Sequence, residues 1–341
     1  MKKLDFRSDT TTQQTPEMRS AMAYAVVGDD VYGDDPSINE LENYAAYLLG
    51  KEAALFVSSG VMGNQLAIMA HTERGQEVLT HHGSHIFQHE QASSSLLAQV
   101  KINPIVCPND HLTAELIREN IHDNDIHYAT TALIEYENAL SNGTVYTLTE
   151  MNAIQQVAKE LNIPVHLDGA RLFNAATYLD VSVKDMAQCA DSIMFCLSKG
   201  LAAPVGSMLV GTKEFIAKAR YYRKLIGGGM RQAGFLAAAG MVALKGMRPQ
   251  LKIDHENAQY LAEQLEKTGI FKVDFECCQI NLVFFEIIAP EFNADKWTTF
   301  CESQRIKVGA PYKNIGRFVT HYGIEKLDID RLVATIYDYD K

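Results

Sequence analysis

Apolar positions recur along this chain in two rhythms, one helical and one strand-like. Between 36 and 50, PSINELENYAAYLLG spaces Ile38, Leu41, Ala45 and Leu48 three and four residues apart, the repeat of one helix face. Pro36 opens the run, Ser37 and Glu40 stand at capping-box spacing and Gly50 closes it, so a helix over 36–50 is expected. From 131 the rhythm changes: TALIEYE (131–137) reads as a strand, TEMNAIQQVAKELN (149–162) as a helix with Met151, Ile154, Ala158 and Leu161 on one face, and PVHLD (164–168) as a strand. This βαβ succession predicts parallel sheet, and SIMFCL (192–197) and VGSMLVG (205–211) add two further apolar strands.

After GGGMRQAGFLAAAGMVAL (227–244) the pattern reads helix (254–267), strands near 271–275 and 281–287, helix (294–304), strand (317–321) and a last helix (328–339). We therefore expect an α/β protein with a mostly parallel central sheet flanked by helices over 1–250, and a smaller α+β unit over 251–341. The boundary is expected within 245–255, with segment 1–15 packing near the smaller unit. No internal repeat or low-complexity tract interrupts this organisation.

With 341 residues, 47% of them hydrophobic, the chain has enough apolar side chains for a large core, and it reads as a soluble globular protein. A net charge of −11 argues against nucleic acid or an anionic membrane as partner. MKKLDFRSDT carries no apolar run after its lysines, and no stretch approaches a spanning helix, which points to the cytoplasm. Cys107, Cys189, Cys196, Cys277, Cys278 and Cys301 lack C-x-x-C spacing and read as structural thiols.

The chemistry is concentrated in two places. Asp168 ends the strand in VHLDGAR (165–171), and Lys199 follows the strand in CLSKG (196–200). Ligands of open α/β sheets sit outside the carboxyl ends of the strands, where both residues fall. A carboxylate that can keep a pyridine nitrogen protonated, with an amine able to form a Schiff base, is the protein half of pyridoxal-phosphate (PLP) catalysis. SSGVMGN (58–64) is a turn into an apolar helix, whose free N–H groups suit a phosphate on Ser59, Gly60 and Val61. The histidine run His81, His82, His85 and His89 lacks the companions of a tetrahedral set, so no metal is expected.

Six blocks in order, FRSDT (6–10), VGDDVYGDDP (27–36), HLDGARLFNA (166–175), CLSKGLAAPVGS (196–207), RKLIGGGMRQAG (223–234) and RFVTH (317–321), resemble those of the L-threonine aldolases, in the β-eliminating lyase group of fold-type I PLP enzymes. The resemblance implies a homodimeric or tetrameric assembly with active sites at the dimer interface. It implies that Lys199 carries the cofactor, Asp168 pairs with its ring nitrogen, Arg171 reaches its phenolic oxygen or the substrate carboxylate, and Arg317 anchors that carboxylate with help from Ser8. Tyr32 falls in a block tied to the substrate, and Lys224 and Arg231 match positions near the phosphate or substrate, reaching across from a neighbouring subunit. His85 is expected to stack on the pyridine face; His85 or His127 would take the β-hydroxyl proton, directly or through a water.

The sequence departs from the family pattern at Val61, in place of threonine in the phosphate turn, and, near the substrate side, at His89, Ala92 and Ser93, in place of an aromatic residue and glycines, and in the IEYENALSNG loop (134–143). The function expected is retro-aldol cleavage of L-threonine, L-allo-threonine or a related β-hydroxy-α-amino acid to glycine and an aldehyde. A PLP-dependent β-eliminating lyase on another β-substituted amino acid is the alternative, and a PLP-carrying protein without turnover a third reading.

Overall fold

The computed structural model describes residues 2–122 and 125–339. Twelve strands appear among the described residues, in chain order β1 (Leu4–Asp5), β2 (Ala53–Val57), β3 (Glu77–His81), β4 (Lys101–Ile105), β5 (Thr131–Glu137), β6 (Val165–Gly169), β7 (Ser192–Cys196), β8 (Ser207–Gly211), β9 (Phe271–Val273), β10 (Leu282–Ile287), β11 (Ile306–Lys307) and β12 (Ile315–Val319). Seven of them form the central sheet in the order β2-β8-β7-β6-β5-β3-β4. From β7 to β4 every pairing is parallel, as the βαβ pattern predicts. Strands covered on both faces need no polar alternation, and every residue of β6, β7 and β8 is buried.

Strand β8 runs against both β2 and β7. Two reversals restore direction, so the carboxyl end of β2 lies on the same side as those of β5, β6 and β7. That side collects the turns that follow β2, β3, β5, β6 and β7.

The helix expected over 36–50 spans Pro36–Leu49, with Gly50 closing it at φ 64°. Its cap is Asp35, whose carboxylate accepts from Ile38 N–H, rather than Ser37. Proline at the first helical position leaves the cap to the residue before it, and the Ser37 hydroxyl donates instead to Val26 O at 2.7 Å. A capping box does occur where Thr147 and Glu150 open the helix Leu148–Leu161.

The carboxyl-terminal part carries an antiparallel sheet, β12-β10-β9, with helices Gln250–Lys267, Ala294–Ser303 and Lys326–Tyr339. Phe6, Phe285, Trp297, Phe318 and Leu332 are buried in one apolar cluster there. The amino-terminal segment joins this unit: β1 pairs with β11, and Phe6 exchanges backbone hydrogen bonds of 2.9 Å with Lys307 and Val319. The segment then runs toward the carboxyl ends of the central strands.

Candidate active site

A cavity of about 530 Å³ opens where β5, β6 and β7 end. Its wall takes Ser8 and Thr10 from the amino-terminal segment, Ser59, Gly60, Val61 and Asn64 from the turn and helix after β2, and His85 and His89 from the turn after β3. Glu137 ends β5 and Ser141 follows it, Asp168 is the next-to-last residue of β6 and Arg171 follows that strand, Lys199 follows β7, and Arg317 comes from β12. The residues expected at the cofactor, Lys199, Asp168, Arg171, Ser59, Gly60, Val61 and His85, therefore meet in one place, with Ser8 and Arg317 beside them. Three of the positions that depart from the family pattern, Val61, His89 and the loop at Ala139 and Ser141, line the same wall.

Asp168 is buried and held from two sides, by Asn64 Nδ2 at 2.7 Å and the Ala170 N–H at 2.9 Å. Asn64 is itself oriented, its Oδ1 lying 3.2 Å from His166 Nε2. Burial lowers His166 to about 3, so the ring is neutral, and we assign its proton to Nε2, facing the asparagine oxygen. Glu90 accepts from Asn64 at 2.9 Å and Gln65 at 2.7 Å, and lies 2.8 Å from His85 Nδ1. That last contact raises His85 above the usual histidine value, against the effect of its burial. His85, Glu90 and Asp168 bring ligand-type atoms within 4.8 Å of one another, and the chain of hydrogen bonds through Asn64 accounts for that approach.

Arg171 is buried and forks onto Asp9, with Nε and Nη2 each 2.8 Å from a carboxylate oxygen. Burial works to raise the Asp9 carboxyl, but the guanidinium outweighs it and holds Asp9 well below the usual carboxylate range. Two of the donor atoms expected to reach a cofactor or substrate are thus engaged within the protein. Arg317 is different: its guanidinium lies over the Phe284 ring, and burial, then the Arg171 charge, pulls its pKa down. No ion pair to Arg317 occurs among the described residues.

The helix Gly60–His71 starts at this wall. Ser59 caps it, accepting from Met62 N–H at 3.2 Å, and the first-turn amides of Gly60 and Val61 have no acceptor within the helix. A Cβ on Gly60 would stand 3.1 Å from Cys196 Sγ, so glycine lets the turn close against β7. An amine, a buried carboxylate with fixed donors and a helix amino terminus in one cavity match the three polar parts of PLP: aldehyde, ring nitrogen and phosphate.

Four expected site residues are not brought to the cavity. His127 is exposed in the turn before β5, its N–H bonded to Asp125, whereas the cavity lies at the opposite end of that strand. Tyr32 is 76% exposed. Lys224 is exposed, and exposed Arg231 pairs with Asp29 at 3.0 Å. Tyr32, Lys224 and Arg231 lie together, because the Asp30 N–H bonds to Arg231 O and Val31 packs near Gly229 beside Lys224. Sequence reasoning passed over Glu137, Glu90, Asn64 and Asp9. Glu137 did carry a signal, since two acids two residues apart inside the apolar run TALIEYE must be buried together or not at all.

The beta-eliminating lyase family model matches residues 5–288. The low specificity L-threonine aldolase of Escherichia coli K12 is 39% identical over 332 residues, covering 97% of each chain. A probable low-specificity L-threonine aldolase of Arabidopsis thaliana is 40% identical over 339 residues, covering 97% of this chain and 95% of its own. Among solved structures, Leishmania major threonine aldolase superposes with a TM-score of 0.83 at 21% identity, covering 99% of this chain and all of that one. That likeness shows the fold, the α/β architecture of fold-type I PLP enzymes, and the sequence matches show the lineage: this chain belongs to the beta-eliminating lyase family.

Proposed function

We propose that this protein cleaves L-threonine, L-allo-threonine or a related β-hydroxy-α-amino acid to glycine and an aldehyde, with PLP as cofactor. One observation carries the reading: Lys199, the buried Asp168 and Arg317, a guanidinium without a carboxylate partner among the described residues, face a single cavity. When bound, the cofactor supplies an electron sink for the pair left on the substrate Cα as the Cα–Cβ bond breaks. Lys199 is the amine that would hold it. Asp168, fixed by Asn64 and Ala170, keeps a negative charge for the ring nitrogen. The amides of Gly60 and Val61, with the Ser59 hydroxyl, would take the phosphate.

Arg317, with Ser8 beside it, would pin the substrate carboxylate, which fixes the bond held perpendicular to the ring. With its Nδ1 proton donated to Glu90, His85 offers Nε2 to the β-hydroxyl proton. Because Glu90 raises His85, the ring takes up its second proton at a higher pH than an ordinary histidine, and the rate should fall as pH drops through that raised value. Arg171 acts from behind, holding Asp9 and the amino-terminal segment against the cavity.

We place Tyr32, Lys224 and Arg231 on a face that a second copy covers, each copy lending them to its neighbour's cavity, in a dimer or a tetramer of two such dimers. The exposed Tyr221 and Leu225, on the same helix as Lys224, support this. We divide the chain into a large unit (1–250) and a small one (251–341), although helices run almost without break from Gly234 to Lys267 across the division. No helix among the described residues is long and apolar enough to cross a membrane, and we propose the cytoplasm as its compartment.

The test is a product assay with L-threonine, L-allo-threonine and L-phenylserine supplied separately. Glycine and the matching aldehyde in equal amounts are expected. Ammonia and a keto acid would replace this reading with β-elimination.

A further inference from the structure

The floor of the cavity holds more acid than the proposed chemistry uses. Glu137 stands opposite Asp168 in the β5–β6 register, and both buried carboxyls line the cavity. Two buried carboxylates side by side resist ionising together, since each adds to the penalty that burial already imposes on the other. Asp168 is the one that needs its charge under the function proposed above, and its neighbours, Asn64 Nδ2 and the Ala170 N–H, can only donate to it. Glu137 has a partner of another kind. Its Oε1 accepts the backbone N–H of His85, and its Oε2 lies 3.1 Å from both the N–H and the hydroxyl of Ser141. A serine hydroxyl can turn and accept, which the donors around Asp168 cannot do.

We propose that Glu137 is a positioning residue that carries the single proton of this carboxyl pair, giving it from Oε2 to Ser141 Oγ, so that Asp168 stays ionised while the His85 turn and the 139–141 loop are held to the cavity. Two walls of the site hang on this one side chain. The groups that face it agree with the placement: Asp168 from β6 opposes its ionisation after burial itself, His85 and Ser141 favour it, and together they leave Glu137 raised to about 7. Glu135, on its own strand face, is raised further by burial and by Glu137, and Arg171 and Tyr146 lie within electrostatic reach.

The test follows from proton linkage. An unfolded glutamate loses its proton near 4.5 and Glu137 in the fold only near 7, so between those values the folded protein binds a proton that the unfolded chain does not. Stability from this group is therefore lost as pH rises through the window and is level above it. Urea unfolding of the full chain, with and without added PLP, should be followed from pH 5 to 8.5 for the wild type, Glu137→Gln and Asp168→Asn. Relative to Glu137→Gln, the wild type should lose up to about a hundredfold in its folding equilibrium constant across the window. Asp168→Asn, with the repelling charge gone, should show a smaller loss. Parallel wild-type and Glu137→Gln curves would overturn the proposal, and so would an undiminished loss in Asp168→Asn if Glu137→Gln does not fold. The pH loss in a protein that forms no glycine would defeat the aldolase reading and leave the proton on Glu137.

Discussion

The cavity floor and the face around Tyr32 contain residues singled out by the same reasoning, yet the single chain treats them in opposite ways. On the floor, Asp168, Glu90, Asn64 and Glu137 each make two or more hydrogen bonds and are almost wholly buried. On the face, Tyr32, Lys224 and Arg231 are exposed, and the Arg231–Asp29 pair stands in solvent. Burial makes the difference, because a buried polar group without a partner costs about 1–3 kcal/mol, whereas an exposed one is satisfied by water. The floor therefore had to be built by this chain alone, while the face can wait for another surface. One group of residues is finished geometry, and the other is, on the function proposed above, one half of a contact.

The largest effect expected from breaking the finished half comes from Lys199→Ala, which should abolish turnover together with the visible absorbance of bound PLP; survival of either would remove Lys199 from its role. Next comes Asp9→Ala, which leaves the buried Arg171 charge without its partner. A loss of about 3–5 kcal/mol in urea unfolding is expected, and a change below 1 kcal/mol would mean that Arg171 finds water. The face should respond in the reverse manner. Replacing both Lys224 and Arg231 by alanine should raise the KM and the PLP dissociation constant by about tenfold or more, a change of about 1.4 kcal/mol, while the urea midpoint stays within error. Unchanged constants would show that the face serves no second copy's cavity.

A finer test lies beside Glu90, where Gln91 and Ala92 adopt φ of 55° and 54°. Left-handed backbone costs a residue with a Cβ about 1–2 kcal/mol. Ala92→Gly should therefore stabilise the protein by about 1 kcal/mol, read as a rise in melting temperature with little change in kcat; a fall would show that the loop is not strained there.

Much of this protein can be read from its residues in order. The βαβ run at 131–168, the helix ended by Gly50 and the positions of Asp168 and Lys199 after apolar strands are local facts, set by periodicity and by where a buried strand must stop. The ordered family blocks named the cofactor, and with it the residues around Lys199. What the sequence left open depends on strand order and on partners distant along the chain. Asp9 meets Arg171 across 162 positions, and Asn64 meets Asp168 across 104. His127 precedes the strand that ends at the site and so lies at the wrong end of it, since only the parallel arrangement of β5 decides which end opens on the cavity. The proton we assign to Glu137 is decided later still, by the register that sets two buried carboxyls side by side. Local pattern fixes what each segment becomes; the free energy of burying charge, which only the packed sheet imposes, fixes what its polar ends do.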